Sequence, residues 1–293
     1  MGVLAGKRVV ITGSSRGLGR AFAVEMAKEG AMLVVNGTQA DALAETVAQI
    51  DASGGRAVAV LGSVADATLC TRLVQTAVDT YGGIDVLSNN AGVVRDRTLF
   101  KMTEAEFDEV IAVHLRGPWA CGKQAAIAMR AQGGGHIINV ISNSGLSGGF
   151  GQSNYAAAKA GMMGLQRTWL LELSRVGIHC NAFWPVAQTE MTQIIFDRAA
   201  RDASLQGAPP PTPVDMGFGT AAEVAQGMIW LASDAANHFN GQCITFNGRK
   251  TALWTHPEES QIAVRPNAWT HAALAAHYAN ITPLRQPQAR LAD

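Results

Sequence analysis

Residues 7–19 read KRVVITGSSRGLG. Val9, Val10 and Ile11 form a β-branched run with no polar alternation, the pattern of a strand buried on both faces. Gly13, Gly17 and Gly19 then let the backbone turn tightly. Leu18 opens a stretch with helical spacing that reaches Glu29 and stops at Gly30. Strand, glycine turn and helix in immediate succession build a cradle in which backbone N–H groups and a helix N-terminus face an anion. In the first such unit of a chain, the pattern points to a dinucleotide. An ordinary βα turn without a ligand is the alternative.

The same alternation continues outward. Further strands are expected at 32–36, 57–61, 84–88, 136–141, 178–183 and 242–246, and helices at 41–50, 66–80, 153–173 and 221–232. Thr103 and Glu106 have capping-box spacing for a long helix reaching residue 131. Repeated βα units with right-handed crossovers give an α/β fold: a Rossmann-like, doubly wound, seven-stranded parallel sheet with helices on both faces. No repeat of fixed period is present. The proline-rich run APPPTPV (208–214) cannot continue a helix, and too little chain follows it for a second core. A single domain over 1–250 with an extension over 251–293 is therefore expected.

Composition narrows the function classes. The chain has 293 residues, 48% of them hydrophobic, and a formal net charge of zero. No basic stripe points to nucleic acid. Cys70, Cys121, Cys180 and Cys243 form no CxxC pair, so neither a metal site nor a disulfide framework is indicated. Reduced thiols in a cytoplasmic protein are expected. There is no signal-peptide pattern and no run of about 18 apolar residues, so no membrane span is expected. Gly6 stands where myristoylation after Gly2 would need Ser or Thr.

The end of the second strand bears on the cofactor. A carboxylate there would hold the ribose hydroxyls of NAD. Here the strand ends Val35-Asn36-Gly37-Thr38, with no carboxylate before Asp41. Arg16, inside the glycine turn, is placed to grip a 2′-phosphate through charge-assisted hydrogen bonds, and Thr38 adds a hydroxyl. NADP(H) is thus favoured over NAD(H); a solvated Arg16 is the alternative.

With TGSSRGLG at 12–19, NNAG at 89–92, Ser142 and YAAAK at 155–159 in this order, residues 3–250 resemble the short-chain dehydrogenase/reductase family. NAGVVRDRTLF (90–100), VHLRG (113–117), FGQSNYAAAKAGMMGL (150–165), IHCNAFWP (178–185) and MTQ (191–193) carry a narrower resemblance. It is to the (3R)-hydroxyacyl-CoA dehydrogenase domain of peroxisomal multifunctional enzyme type 2 and related bacterial reductases. The resemblance implies a Rossmann fold, nicotinamide hydride transfer and a homodimer or homotetramer. It places Gly13, Ser15, Arg16, Gly17, Leu18 and Gly19 at the cofactor phosphates and adenosine, with Gly37, Thr38, Ser63 and Val64 completing the adenosine side. Asn90, Ala91 and Gly92 fall beside the ribose, and Pro185, Val186 and Thr189 at the nicotinamide. Four positions depart from the family pattern. Ser63 stands where Asp is frequent, and Gly37 where the narrower group is acidic. Pro185-Val186 replaces Pro-Gly, and His114 replaces a helical Asn whose backbone carbonyl holds a water of the proton relay. The imidazole of His114 can join that relay; a satisfied half-buried histidine is the alternative.

Tyr155 and Lys159 are i and i+4, on one helix face, and Ser142 ends the fifth strand. Glycines 145, 148, 149 and 151 let the intervening loop bring that face over the strand end. A carbonyl that receives hydride becomes an alkoxide and must take a proton. An unperturbed tyrosine, with a pKa of ~10, serves poorly, and a neighbouring ammonium lowers it. Lys159 is expected to supply that charge, to hold the nicotinamide ribose with Tyr155, and Ser142 to steady the substrate oxygen. Alone, each residue has a plain structural reading; behind a glycine turn they form a set.

By the resemblance, residues 189–220 form a mobile lid. Here it carries Ile194, Ile195 and Phe196, with Gly217 and Gly219 as hinges. Trp184 narrows the pocket or fills the core. The extension, with Trp254, Trp269 and a helix-like stretch at 268–279, is expected to pack on the core or a neighbouring subunit. The expected function is an NADP(H)-dependent interconversion of a ketone and a secondary alcohol, of carbonyl reductase or 3-oxoacyl/3-hydroxyacyl thioester type, on a small molecule and without metal. An NAD-dependent hydroxyacyl or hydroxysteroid dehydrogenase, and a non-catalytic sensor of nicotinamide cofactor, are the alternatives.

Overall fold

The seven apolar runs expected as strands all lie in one sheet in the computed structural model, which describes residues 2–279. They are β1 (Arg8–Ile11), β2 (Met32–Gly37), β3 (Arg56–Leu61), β4 (Val86–Asn89), β5 (Gly135–Val140), β6 (Ile178–Pro185) and β7 (Cys243–Phe246). They pair in parallel in the order β3-β2-β1-β4-β5-β6-β7. The sheet nevertheless has eight strands, not seven, and is not wholly parallel. β8 (Thr251–Leu253) pairs antiparallel with β7, Ile244 lying opposite Leu253. An antiparallel neighbour needs only a tight turn. Asn247 supplies it, its Oδ1 accepting from the backbone N–H groups of Arg249 and Lys250 at 2.9 and 2.5 Å. Three residues are too few for a periodic signal, so a segment expected in the extension belongs to the sheet.

Successive strand side chains face opposite ways, so each apolar run serves two cores. Val9 and Ile11 enter one and Val10 the other; Leu33 and Val35 divide from Val34 in the same way. On one face lie Phe22 and Met26 of α1 (Gly17–Lys28) and Met228 of the helix Ala221–Ala232, with Phe183. On the other lie Leu69 and Leu73 of a helix at Ala67–Tyr81, Met129 of Gly117–Gln132 and Trp169 of Ser153–Leu173. Each fully buried side chain of this size contributes about 1.5–3 kcal/mol of transfer free energy. In chain order, the helices after α1 are α2 (Ala40–Ala52), α3 (Ala67–Tyr81), α4 (Glu104–Ile111), α5 (Gly117–Gln132), α6 (Ser144–Ser147), α7 (Ser153–Leu173), α8 (Gln193–Leu205) and α9 (Ala221–Ala232).

Two expectations change shape. The long helix expected from residue 103 to 131 begins at its capping box, with Thr103 Oγ1 accepting from Glu106 N and Glu106 Oε2 from Thr103 N. It is then interrupted by a π-helical segment, Ala112–Arg116, between α4 and α5. The lid region carries a helix of its own, α8, whose Phe196 packs edge-on against Phe218 at 5.0 Å. Ile194 and Ile195 remain exposed.

The chain divides into two units, Met1–Trp254 and Thr255–Asp293. In the second, α10 (His271–Tyr278) is capped by Thr270, whose Oγ1 accepts from Ala273 N, and Arg265 lies 5.0 Å over the Trp269 ring. The remainder of the expected extension, residues 280–293, lies outside the described residues. Among the described residues no helix is long and apolar enough to cross a membrane.

Candidate active site

The site begins at the glycine turn between β1 and α1. Gly13 has φ +65°, and a Cβ there would come within 2.5 Å of Ala91 Cα; a Cβ on Gly19 would collide with the Gly13 carbonyl. Only glycine lets these backbones lie so close. Asn90 braces the turn, donating from Nδ2 to the carbonyls of Thr12 and Gly13, both at 3.0 Å. Its backbone N–H and that of Ala91 both donate to Thr12 Oγ1. Asn36 ties the turn to the neighbouring strands, accepting from Gly13 N and donating to the carbonyls of Val60 and Gly62. The N-cap of α1, Arg16, makes no capping bond, and no acidic residue stands in the first turn. The helix start therefore keeps uncapped N–H donors, which suits a dinucleotide pyrophosphate.

The residues expected on the adenosine side lie on or just beyond the same strands. Ser15 packs against Gly37, where a Cβ would meet its side chain at 2.7 Å, and the Ser15 carbonyl accepts from Arg20. Leu18 packs against the first core. Thr38, just beyond β2, is exposed; Val64 is buried, and Ser63 Oγ accepts from Ala65 N at 3.2 Å. Gly17, with φ +54°, faces open space. Arg16 is not a lone cation: its Nη1 lies 3.3 Å from Glu190 Oε2 of the lid, in an exposed ion pair that solvent weakens. The segment expected as a lid leaves the sheet after Pro185 and Val186. Val186 N donates to Phe246 O, Thr189 caps the 3₁₀ turn Glu190–Thr192, and Gln188 N and Gly219 N close its base. Gly219, one of the two expected hinges, sits against the Asn247 carbonyl.

The residues expected to be catalytic lie beyond the carboxyl end of β5 and on α7. Ser142 follows β5, and its Oγ donates to Asn143 Oδ1 and accepts from Ser144 N, both at 3.2 Å. Tyr155 and Lys159 share a face of α7, with Lys159 Nζ 5.6 Å from the Tyr155 ring centre. Lys159 is buried, and Nζ donates to the Val140 carbonyl at 2.7 Å. That burial pulls its ammonium down to about 7. Tyr155 moves the other way from the sequence expectation. Burial pushes its phenol above the usual value, hydrogen bonding to Ser142 opposes this, and the charge of Asp96 reinforces it. The lysine's hydrogen bond goes to a backbone carbonyl, and burial favours its neutral form, which does little to acidify a phenol.

His114 sits in the π-helical segment, its ring edge-on to Tyr155 at 4.9 Å. Its Nε2 lies 2.9 Å from Val93 N and 2.8 Å from Val93 O, while Nδ1 is buried with no partner among the described residues. Gly92 makes room for the ring: a Cβ there would come within 2.5 Å of Cε1. Burial first, and the Lys159 charge second, lower its pKa to about 3, so the imidazole is neutral at physiological pH. The segment has a local cause. An α-helix would give the His114 carbonyl the N–H of residue 118, and Pro118 has none. Gly117 N reaches back five residues to Ala112 O instead.

The short chain dehydrogenase family model matches residues 7–200. The chain belongs to the short-chain dehydrogenase family. This short-chain dehydrogenase is 36% identical to hydroxyacyl-CoA dehydrogenase ChsB1 of Mycobacterium tuberculosis, over 97% of this chain and 91% of that one. It is 37% identical to the 3-oxoacyl-[acyl-carrier-protein] reductase FabG of Staphylococcus aureus, over 83% and 97%. It is 40% identical to peroxisomal multifunctional enzyme type 2 of Mus musculus, over 65% of this chain and 27% of that one. A crystal structure of a short chain dehydrogenase from Mycobacterium avium superposes with a TM-score of 0.82 at 35% identity, covering 95% of both chains. For this short-chain dehydrogenase, residue patterns did not single out Glu190, Pro118 or the Asp96–Gln152 contact. Only Pro118 left a sequence signal, standing four residues after His114.

Proposed function

We propose that this short-chain dehydrogenase interconverts a ketone and a secondary alcohol with NADP(H), using Tyr155 as acid and base. The observation that carries the reading is that Ser142 and Lys159 both lie against Tyr155 at the carboxyl end of β5, in a chain whose first βα turn leaves the start of α1 uncapped. The nicotinamide cofactor, when bound, supplies or accepts the hydride. The chain's own groups handle the oxygen. Ser142 donates a hydrogen bond to it as charge develops, and Tyr155 delivers the proton in reduction or removes it in oxidation. Lys159, on the same face of α7 as Tyr155, would replenish that proton and hold the ribose. Gly13, Ser15, Arg16, Gly17, Leu18 and Gly19 would hold the phosphates, Asn90, Ala91 and Gly92 the adjoining sugar, and Pro185, Val186 and Thr189 the nicotinamide.

Two relatives whose names describe 3-oxoacyl and hydroxyacyl substrates support an acyl thioester with oxygen at its third carbon. The apolar lid residues Ile194 and Ile195 suit such a chain. A second copy would cover the exposed Trp119 and Ile127 of α5 and Leu171 of α7, in keeping with a homodimer or homotetramer. Tyr155→Phe, which keeps the ring and removes the proton, should lower kcat by about 10²–10⁴-fold with 3-oxoacyl thioesters. Wild-type rates in this variant would refute the mechanism.

NADP(H) preference is supported by Arg16 and by the missing carboxylate at the end of β2. The Arg16–Glu190 pair supports an NAD-dependent hydroxyacyl dehydrogenase as a second reading, since Glu190 competes for the guanidinium. Arg16→Ala decides between them. The first reading expects the ratio of kcat/KM for NADPH over NADH to fall, and an unchanged ratio favours the second.

A further inference from the structure

Glu190 opens the 3₁₀ turn Glu190–Thr192 at the start of the segment expected as a lid. The turn is fixed to the sheet. Thr192 Oγ1 accepts from Thr189 N at 2.9 Å and lies 3.1 Å from the carbonyls of Ala187 and Thr189. Ala187 is buried and bridges to Gly219, with Gln188 N donating to the Gly219 carbonyl at 2.8 Å and Gly219 N to the Val186 carbonyl at 3.1 Å. From this root the Glu190 side chain reaches the glycine turn, where Arg16 Nη1 donates to its Oε2 at 3.3 Å. Arg16 is the N-cap of α1, the helix whose start lacks a side-chain cap. A carboxylate of one segment thus holds a cation of the other.

The neighbouring cation is committed elsewhere. Arg20 Nε and Nη2 donate to the Ser15 carbonyl at 3.1 and 2.6 Å, and Nη1 lies 2.9 Å from Glu45 Oε1. Among the described residues no other hydrogen bond or ion pair joins residues 189–216 to the turn at 12–19. Past the 3₁₀ turn, α8 buries only Phe196, and its aromatic partner Phe218 belongs to the same segment. Arg16 and Glu190 are both exposed, so their attraction amounts to about fivefold at most in an equilibrium constant. That weakness suits a contact that a ligand has to open. A monoester phosphate brings a charge of about −1.5 to −2 and three acceptor oxygens, where a carboxylate brings one charge.

We propose that Glu190 is a specificity-determining latch: its carboxylate holds the guanidinium that a cofactor 2′-phosphate takes, and arrival of that phosphate detaches the lid from the glycine turn. A dinucleotide without the phosphate leaves the pair closed. Glu190 therefore lowers the affinity for the 2′-phosphorylated cofactor and ties release of the lid to it. The inference rests on the reading that the glycine turn takes a nicotinamide dinucleotide with Arg16 at the 2′-phosphate.

The probes are 2′,5′-ADP and 5′-AMP, which differ by the 2′-phosphate and lack the nicotinamide. Calorimetric titration of the full chain at low ionic strength, where exposed charges are least screened, reads their affinities. Trypsin cleavage after Arg198 in α8 reads the state of the lid. Glu190→Gln keeps the side-chain shape and removes the charge. It should tighten 2′,5′-ADP by about two- to fivefold and leave 5′-AMP unmoved. On an Arg16→Ala background the same substitution should change neither affinity. In the wild type, saturating 2′,5′-ADP should speed cleavage and saturating 5′-AMP should not; Glu190→Gln should be cleaved fast without either nucleotide. An equal gain for both nucleotides, or cleavage indifferent to 2′,5′-ADP, overturns the proposal. If Arg16→Ala weakens 2′,5′-ADP while Glu190→Gln changes nothing, the cofactor reading stands and the latch alone fails. If Arg16→Ala leaves the affinity for 2′,5′-ADP unchanged, Arg16 does not meet the phosphate and both fall.

Discussion

Lys159 illustrates what burial does to a single side chain. A lysine that titrates at about 7 when folded, against 10.5 for the model group, binds its proton more weakly in the native state. Burying the charged form therefore opposes folding, and stability rises with pH wherever the unfolded chain keeps a proton that the folded chain sheds. The opposition is fullest below about 7 and disappears as pH rises toward 10.5. The stability advantage of Lys159→Met over the wild type should therefore shrink steadily across that interval, read as the difference in Tm at each pH. A difference independent of pH would show that the lysine is solvated. Ser142, Tyr155 and Lys159 were legible as a set because i, i+4 spacing and a strand end are local features. Their protonation was not, because it depends on atoms contributed from the Val140 carbonyl, the Asp96 loop and His114.

At the scale of elements, the helix from Glu104 to Gln132 is divided because one residue cannot donate. Pro118 leaves the His114 carbonyl without its α-helical partner, and the chain accommodates this with the π-helical turn that sets the His114 ring against Tyr155. Pro118→Ala restores the donor. It should raise stability by up to about 3 kcal/mol and, by moving His114 and its neighbours, lower kcat by about 10²-fold. Chemical denaturation and steady-state kinetics on the same sample check the pair; a stabilised protein with undiminished kcat would separate the π turn from the reaction. The helix was readable from Thr103 and Glu106; of its interruption the residue pattern held only Pro118, four residues after His114, since apolar periodicity runs through it. The lid helix α8 escaped notice for another reason: Phe196 is its one buried residue, so its pattern is mostly that of an exposed segment.

Across the whole molecule, the sheet is tied at its amino edge by Arg8 and Asp85. Arg8 Nε and Nη2 donate to the two carboxylate oxygens at 2.8 and 2.6 Å, and Arg8 N donates to Oδ2 at 2.8 Å, joining the starts of β1 and β4. Burial pushes the Asp85 carboxyl up, but the combined bonds and charge of Arg8 prevail and hold it below its usual value. A depressed carboxyl stabilises the fold above its unfolded pKa and loses that contribution as pH falls through the folded one. Asp85→Asn should therefore destabilise the protein by about 1–3 kcal/mol at pH 7, with the gap to wild type closing below the ordinary aspartate value of 3.8. Equal denaturation midpoints at pH 7 would refute the role of this tie.

By itself the sequence determined seven strands of a parallel sheet, the glycine turn, and the placing of Tyr155 and Lys159 on one helix face after a strand-end Ser142, because each is written in spacing over a few residues. Only the tertiary structure decided the eighth strand, the Arg16–Glu190 pair, the Asp96–Gln152 contact and the direction of the Tyr155 shift. These depend on which groups, distant along the chain, meet in space and how little water reaches them, and no local pattern encodes either.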